Sequence, residues 1–450
     1  MSEHSSLVPL PMKDSGVEWI GEIPEGWELA RLKNIATVRV SNVDKKSVET
    51  EIPVLLCNYT DVYYQDRISA GTDFMRATAS VGQIRQFGIQ MGDVLVTKDS
   101  ETAEDIGVSS LVADELENVV LGYHLAILRA QPNRMRAEYL GWQIQALFVK
   151  EQMCIAATGV TRFGLRQESI AELAVLLPPL PEQQAIAAYL DKETAKIDDL
   201  VAKKQRLIEL LDERRASLIS HAVTKGLNLE APMKDSGVEW IGEIPEGWKV
   251  SALKRACTLS ANYGLNATRN EYSVSGVRLI RTSDITESGL LKDETDAVYL
   301  DPHETVGMLL NPGDLLFSRS GTLGRCLRFP EVDTPHTFAA YLVRFVVSQL
   351  NSSRFIEACA QTAFFLAQIH SAAVQSTISN FNGEKYGEII LPLPPLPEQQ
   401  AIAAYLDIET AKIDKLKELT KQQIGLLGEK RQSLITEAVT GKIQEAREVA

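Results

Sequence analysis

The sequence predicts an α+β chain with internal two-fold pseudo-symmetry: two mixed α/β heads joined by two long antiparallel helices in a coiled coil. Three observations predict it. The sixteen residues MKDSGVEWIGEIPEGW at Met12–Trp27 return letter for letter at Met233–Trp248. The segment LPPLPEQQAIAAYLDKETAKIDDL at Leu177–Leu200 returns as LPPLPEQQAIAAYLDIETAKIDKL at Leu393–Leu416, changed at two of 24 positions. Between the repeats lie two unlike regions of about 145 residues each, an ordinary domain size.

In chain order the reading is a leader (1–27), a first head (28–175), a first spacer helix (176–226), a second leader (227–248), a second head (249–391) and a second spacer helix (392–450). A chain of 450 residues is too long for one ordinary core, which agrees with that division. Hydrophobic residues at 45% and charged residues at 24% suit a globular protein. No run approaches 18 apolar residues and no secretory leader is legible, so no membrane segment is expected and the cytoplasm is the expected location.

The acidity is uneven. Of the net charge of −14, the two leaders carry −4 each, the first head −4, the second head −1, and the helices almost nothing. Near-neutral heads can bind nucleic acid if their basic groups cluster, but the charge total does not itself argue for it.

Pro178, Pro179 and Pro181 forbid an earlier helix start, and Glu182 follows where the positive end of the helix dipole favours an acid. Apolar residues then fall at Ile186, Leu190, Ile197, Leu200, Leu207, Leu211 and Leu218, the three-four stripe of a helix that pairs with another. Gly226 is the expected stop. The second copy keeps Ile402, Leu406, Ile413, Leu416, Leu427 and Leu434, with Gly425 and Gly428 weakening it. At 1.5 Å per residue the helical stretch forms a rod of roughly 66 Å. The first helix delivers the chain to the second head and the second must run back, so the pair is expected to be antiparallel.

The heads share landmarks. GDVLVTKD at Gly92–Asp99 matches GDLLFSRS at Gly313–Ser320, each a turn, a strand and then a polar loop. A second polar loop closes each head, TGVTRFGLRQ at Thr158–Gln167 and STISNFNGEK at Ser376–Lys385. Five scattered cysteines without a CxxC pair, and six dispersed histidines, exclude a disulfide framework and a zinc site. There is no phosphate-cradling GxxxxGK[ST] loop, no dinucleotide GxGxxG, and no [DN]PP[YF]. No catalytic set is visible.

Two unlike heads, each introduced by an EWIGEIPEGW leader and followed by a PLPPLPEQQAIAAYLD helix, resemble the specificity subunit of a type I restriction-modification enzyme over essentially the whole chain. The resemblance implies that the heads are target-recognition domains, each taking one half of a split, non-palindromic site on double-stranded DNA. It implies that the helices set the gap and dock two modification (methyltransferase) subunits, joined by two restriction (translocase-nuclease) subunits where cleavage is added. The chain itself is then non-catalytic and binds no cofactor or metal, with S-adenosylmethionine, ATP and magnesium carried by the partners. The other reading is a helical scaffold with two protein-binding domains and no DNA.

Base readout needs paired donors or acceptors presented to a groove. The expected readers are Lys98, Asp99, Ser100, Arg162 and Arg166 in the first head, and Arg319, Ser320, Thr322, Arg325, Asn380 and Asn382 in the second. Phe163 and Phe381 are expected at corresponding places beneath those loops. The aromatic run NYTDVYYQD at Asn58–Asp66 is a further groove-lining candidate, and Arg206, Arg214, Arg215 and Lys430 are candidate phosphate contacts on the helices.

Overall fold

Leu180–Lys225 and Leu396–Val439 are each one unbroken helix, of 46 and 44 residues. The first ends where Gly226 takes φ +75° and the second shortly before Gly441 at φ +76°, a left-handed turn that a side chain resists. Gly425 and Gly428 lie inside the second helix without breaking it. The computed structural model describes residues 11–268, 271–373 and 381–447.

The chain divides into two units, Met1–Lys204 with Gln422–Ala450, and Gln205–Lys421, so each helix contributes to both. Within the first unit the helices run antiparallel: Arg431 Nε lies 3.0 Å from Asp198 and Lys204 Nζ donates to Gln423 at 2.5 Å. Within the second, Arg215 lies 3.3 Å from Asp414, and Lys417 pairs with Asp212.

In the first unit the head is built on a five-stranded sheet, in the order Ala36–Val40, Leu125–Ala130, Asp93–Thr97, Ser109–Val112, Arg67–Ile68, antiparallel except for the last pair. The strand Asp93–Thr97 is buried throughout, which is why its VLV run is apolar on both faces. A three-stranded sheet, Val119–Leu121, Ile52–Cys57 and Met75–Ala79, covers a second, smaller core. The second unit repeats this with a four-stranded sheet (Cys257–Tyr263, Leu342–Val347, Leu315–Ser318, Cys326–Arg328) and a three-stranded one (Val298–Leu300, Val277–Ile280, His336–Phe338).

The repeated segments are joints inside each unit. Ile20, Ile23 and Trp27 of the first leader share a core with Ile186 and Leu190 at the start of one helix and Ile435, Ala438 and Val439 at the end of the other. Ile241, Ile244 and Trp248 meet Ile402, Leu406, Ile219, Ala222 and Val223 in the same way. The doubled PEQQ is likewise structural. Gln183, fully buried, donates to Arg134 O and Pro178 O and accepts from Arg136 N. Gln399 donates to Asn351 and Pro394 O and accepts from Ser352 N. Each glutamine ties its head to the root of its helix.

The helical stripe needs correction. Ile186, Leu190, Ile197, Leu211, Ile402, Leu406 and Ile413 are buried, and Leu218, Leu427 and Leu434 are half-buried. Leu200, Leu207 and Leu416 are 41%, 39% and 44% exposed. Ile208, Ile219, Val223 and Ile435 are buried instead. A strict heptad seam presumes that one partner helix takes every apolar side chain. Here the helix ends sink into the head cores, so the cover of a side chain changes along the helix and no single seam takes them all.

Candidate nucleic-acid interface

In the first head the chain leaves the central strand at Thr97 and enters Lys98–Asp99–Ser100. Three loops meet there. Lys98 N donates to His124 O at 2.9 Å, Leu165 N donates to Lys98 O at 2.7 Å, and Phe163–Gly164 pairs antiparallel with Asp99–Ser100. The second head repeats the junction: Arg319 N donates to Tyr341 O at 3.0 Å and Phe381 N donates to Arg319 O at 3.0 Å. The framework is shared, and only the side chains change.

In the first head the junction is centred on a carboxylate. Asp99 Oδ2 accepts from Lys98 Nζ and faces His124 Nδ1, both at 2.8 Å. Among the described residues Oδ1 has no hydrogen-bond donor, and Gly164 leaves room beside it: a Cβ there would stand 3.2 Å from that oxygen. Aromatic rings flank the acid. Tyr123 and His124 have centroids 3.6 Å apart, Tyr59 and Tyr63 stack at 5.3 Å, and Tyr64 is largely exposed. Tyr63 OH donates to Asp105, and that bond, with some burial, pushes its hydroxyl up to about 12. Burial also raises the Tyr59 hydroxyl. Both rings therefore stay neutral donors throughout the ordinary pH range.

In the second head Ser320 stands in the place of Asp99, and the junction is left to the cation equivalent to Lys98. The Arg319 guanidinium lies 5.0 Å over the Tyr263 ring, and its Nη1 reaches Ala340 O at 3.5 Å. A stacked guanidinium keeps its flat fork presented to a planar acceptor pair.

The expected readers sort unevenly. Arg162 and Arg166 are exposed beside Asp99 in sequence-distant loops that the fold brings together. Lys98 is spent on Asp99, and Ser100 is buried, so both support the acid. Thr322 is exposed and Ser320 half-exposed. Arg325 donates to Ile285 O at 2.9 Å, holding a neighbouring loop. Asn382 caps the helix Gly383–Gly387, accepting from Lys385 N at 2.9 Å, while Asn380 lies outside the described residues. Phe381 corresponds to Leu165, not to Phe163, because each donates its N–H to the same carbonyl of the junction. Phe163 sits two residues earlier, in the ribbon against Ser100. Arg215 is held by Asp414 and by Gln361 at 3.0 Å, and Arg206 by Glu209 at 2.7 Å, so neither is poised for phosphate.

The sequence reading missed Tyr123, His124, Tyr263 and Tyr341. The available signal was the turn GYHL at Gly122–Leu125 against AAYL at Ala339–Leu342, which sits before equivalent strands.

Residues 24–210 and 245–425 each match the type I restriction modification DNA specificity domain. The chain is 24% identical over 448 residues to the putative type I restriction enzyme MjaX specificity subunit of Methanocaldococcus jannaschii, covering 94% of this chain and 95% of that one. It is 21% identical over 449 residues to the type I restriction enzyme EcoKI specificity subunit of Escherichia coli, covering 94% and 90%. Among solved structures, a chain from work on complex assembly and conformational transition of the type I R-M system superposes with a TM-score of 0.73 at 16% identity, covering 94% and 99%. The HsdS subunit of Thermoanaerobacter tengcongensis gives 0.52 at 16% identity, covering 94% and 98%.

Proposed function

The chain belongs to the type I restriction-modification DNA specificity family, and from that premise we propose that its two target-recognition domains read the two unlike halves of one split, non-palindromic DNA site. One observation carries the proposal. At the same junction of the same framework, the first head couples its cation, Lys98, to a carboxylate, Asp99, which leaves an acceptor on offer. In the second the equivalent cation, Arg319, lies over Tyr263 with Ser320 in the place of that carboxylate, which leaves a donor on offer. An acceptor suits an exocyclic amino group such as cytosine N4; an arginine fork suits guanine O6 and N7. Equivalent scaffolds that present different hydrogen-bonding groups are what a site with two different halves requires. Arg162 and Arg166, exposed beside the acid, would meet phosphate or base edges.

In this reading the helices set the unread gap, and the chain is non-catalytic and cytoplasmic. Adenine methylation comes from two modification subunits and, where cleavage is added, ATP-dependent cleavage from two restriction subunits; these partners carry the S-adenosylmethionine, ATP and magnesium. Leu207, Leu210, Leu416 and Leu419, exposed on the helical part of the second unit, support partner docking there.

The test is a genome-wide map of methylated adenine in the host, with and without this gene. Loss of one split motif is the expected result. Asp99→Asn should then relax one half alone, by about 1–3 kcal/mol at one base pair, and Arg319→Ala the other half alone. Four residues inserted near Lys204 should change the gap, shifting a head by ~6 Å, with both halves kept. DNA affinity that ignores salt would favour the protein-scaffold reading.

A further inference from the structure

Three of the five tryptophans, Trp27, Trp142 and Trp248, are buried, whereas Trp19 and Trp240 are 51% and 47% exposed. These two are the same residue of the repeated leader. Each sits in the tight loop between two short strands, Met12–Asp14 and Glu22–Pro24 in one leader, Met233–Asp235 and Glu243–Pro245 in the other.

The loops are held alike. Ser15 N donates to Gly21 O, and Ile20 N and Gly21 N to Val17 O; Ser236 N, Ile241 N and Gly242 N repeat these bonds. Ser15 and Ser236 each close the turn through their hydroxyls. The indole is therefore displayed from a fixed loop, which lowers the ordering cost of binding. Around it the surface is acidic. Glu18 and Glu239 are exposed and take part in no ion pair among the described residues.

Packing explains why the buried leader positions match: both fit the same joint of helix ends. It does not explain the exposed ones. The heads have drifted apart while keeping their framework, yet every exposed residue of the sixteen-residue repeat, the costly indole included, is the same in both copies. Acids disfavour DNA at this place, and tryptophan is one of the side chains enriched among the energetic hot spots of protein interfaces.

We infer that the Trp19 and Trp240 loops are two equivalent docking knobs, each inserting its indole into an apolar slot rimmed by lysine or arginine on one copy of a protein partner. Resting on the function proposed above, that partner is the modification subunit, one copy per leader.

The test uses the full chain mixed with the modification subunit of the same system, with bound copies counted by native mass spectrometry and sedimentation. Wild type takes two copies. Trp19→Ala and Trp240→Ala each take one, and the double variant takes none where wild type is saturated, a loss of roughly 30-fold or more per site. Salt-dependent DNA affinity of the chain alone stays unchanged. Glu18→Lys with Glu239→Lys, which leaves the indoles in place, should weaken uptake by several-fold, most at low salt. A double tryptophan variant that still takes two copies overturns the inference while leaving the function standing. A wild-type chain that takes up none overturns both. A chain that dimerises by itself, and loses the dimer in the variants, overturns the inference in favour of self-association.

Discussion

Trp27 and Trp248 occupy the same place in identical leaders, yet they end in different company. The Trp27 indole N–H donates to Glu182 at 3.0 Å; Glu182 also accepts from Arg447 at 2.8 Å, and the Arg447 guanidinium lies 5.3 Å over the indole ring. Among the described residues the buried Trp248 nitrogen has no hydrogen-bond partner, although Glu398 is the counterpart of Glu182 and lies beside Gly226. The difference is the third party. In the first unit the chain past Gly441 turns back as Glu445–Arg447 and supplies a cation. In the second it runs from Gly226 through Leu227–Pro232, which has no basic residue, straight into its own leader. Equal sequence sets equal packing; the polar complement of that packing depends on which segment arrives from elsewhere.

The sharpest contrast between the units is in their sheets. Asp93 and Asp314 both follow the glycine of the GD turn, and both are buried. Asp93 is held at 2.6 and 2.7 Å by Arg129, whose side chain is 29% exposed; Asp314 pairs with Arg344, only 8% exposed. Removing one partner strands the other charge, at about 3–5 kcal/mol when the site is dry. Asp314→Ala should therefore cost about that much in the second unit, and Asp93→Ala about 2 kcal/mol in the first, because Arg129 can still reach water. Hydrogen exchange followed separately over the two units would measure both; equal losses would erase the distinction.

A smaller contrast lies at the helix ends. Gly226 and Gly441 share the left-handed conformation, which costs a side chain about 1 kcal/mol. A Cβ at Gly441 would also stand 2.5 and 2.7 Å from the Pro24 ring, whereas at Gly226 the neighbours are Trp248 at 3.2 Å and Glu398 at 3.3 Å. A rigid ring yields less than side chains that can shift by a few tenths of an ångström. Gly441→Ala should destabilise its unit by about 2–4 kcal/mol and Gly226→Ala by about 1 kcal/mol, read from denaturant midpoints.

The smallest returns to the tryptophans. Trp27→Phe removes a hydrogen bond to a carboxylate and should cost about 1–2 kcal/mol, while Trp248→Phe also relieves a stranded N–H and should cost less. The reverse order would mean that Trp248 has a partner in solution, such as an ordered water.

Much of this was legible in advance because duplication is a strong signal. Two copies of a leader and two of a helix predicted two like units around unlike heads, and proline and glycine marked where the helices begin and stop. The junction at Lys98 and Arg319 was half legible: the GD turns located it, and the closing loops supplied Arg162 and Arg166. His124 and the tyrosines escaped because nothing local ties Gly122–Leu125 to Lys98. A backbone hydrogen bond between distant loops does.

By itself, the sequence determined the periodicities: where a helix can run, which strand is apolar on both faces, and which segments must fit the same joint. Tertiary structure decided the assignment of partners. A 3.6-residue period says that one face of a helix is apolar, but Leu200, Leu207 and Leu416 stay exposed while Ile208, Ile219 and Ile435 are buried. What covers a side chain depends on chain segments far away in sequence, and the hydrophobic effect rewards any cover equally, without naming it in the residues it covers.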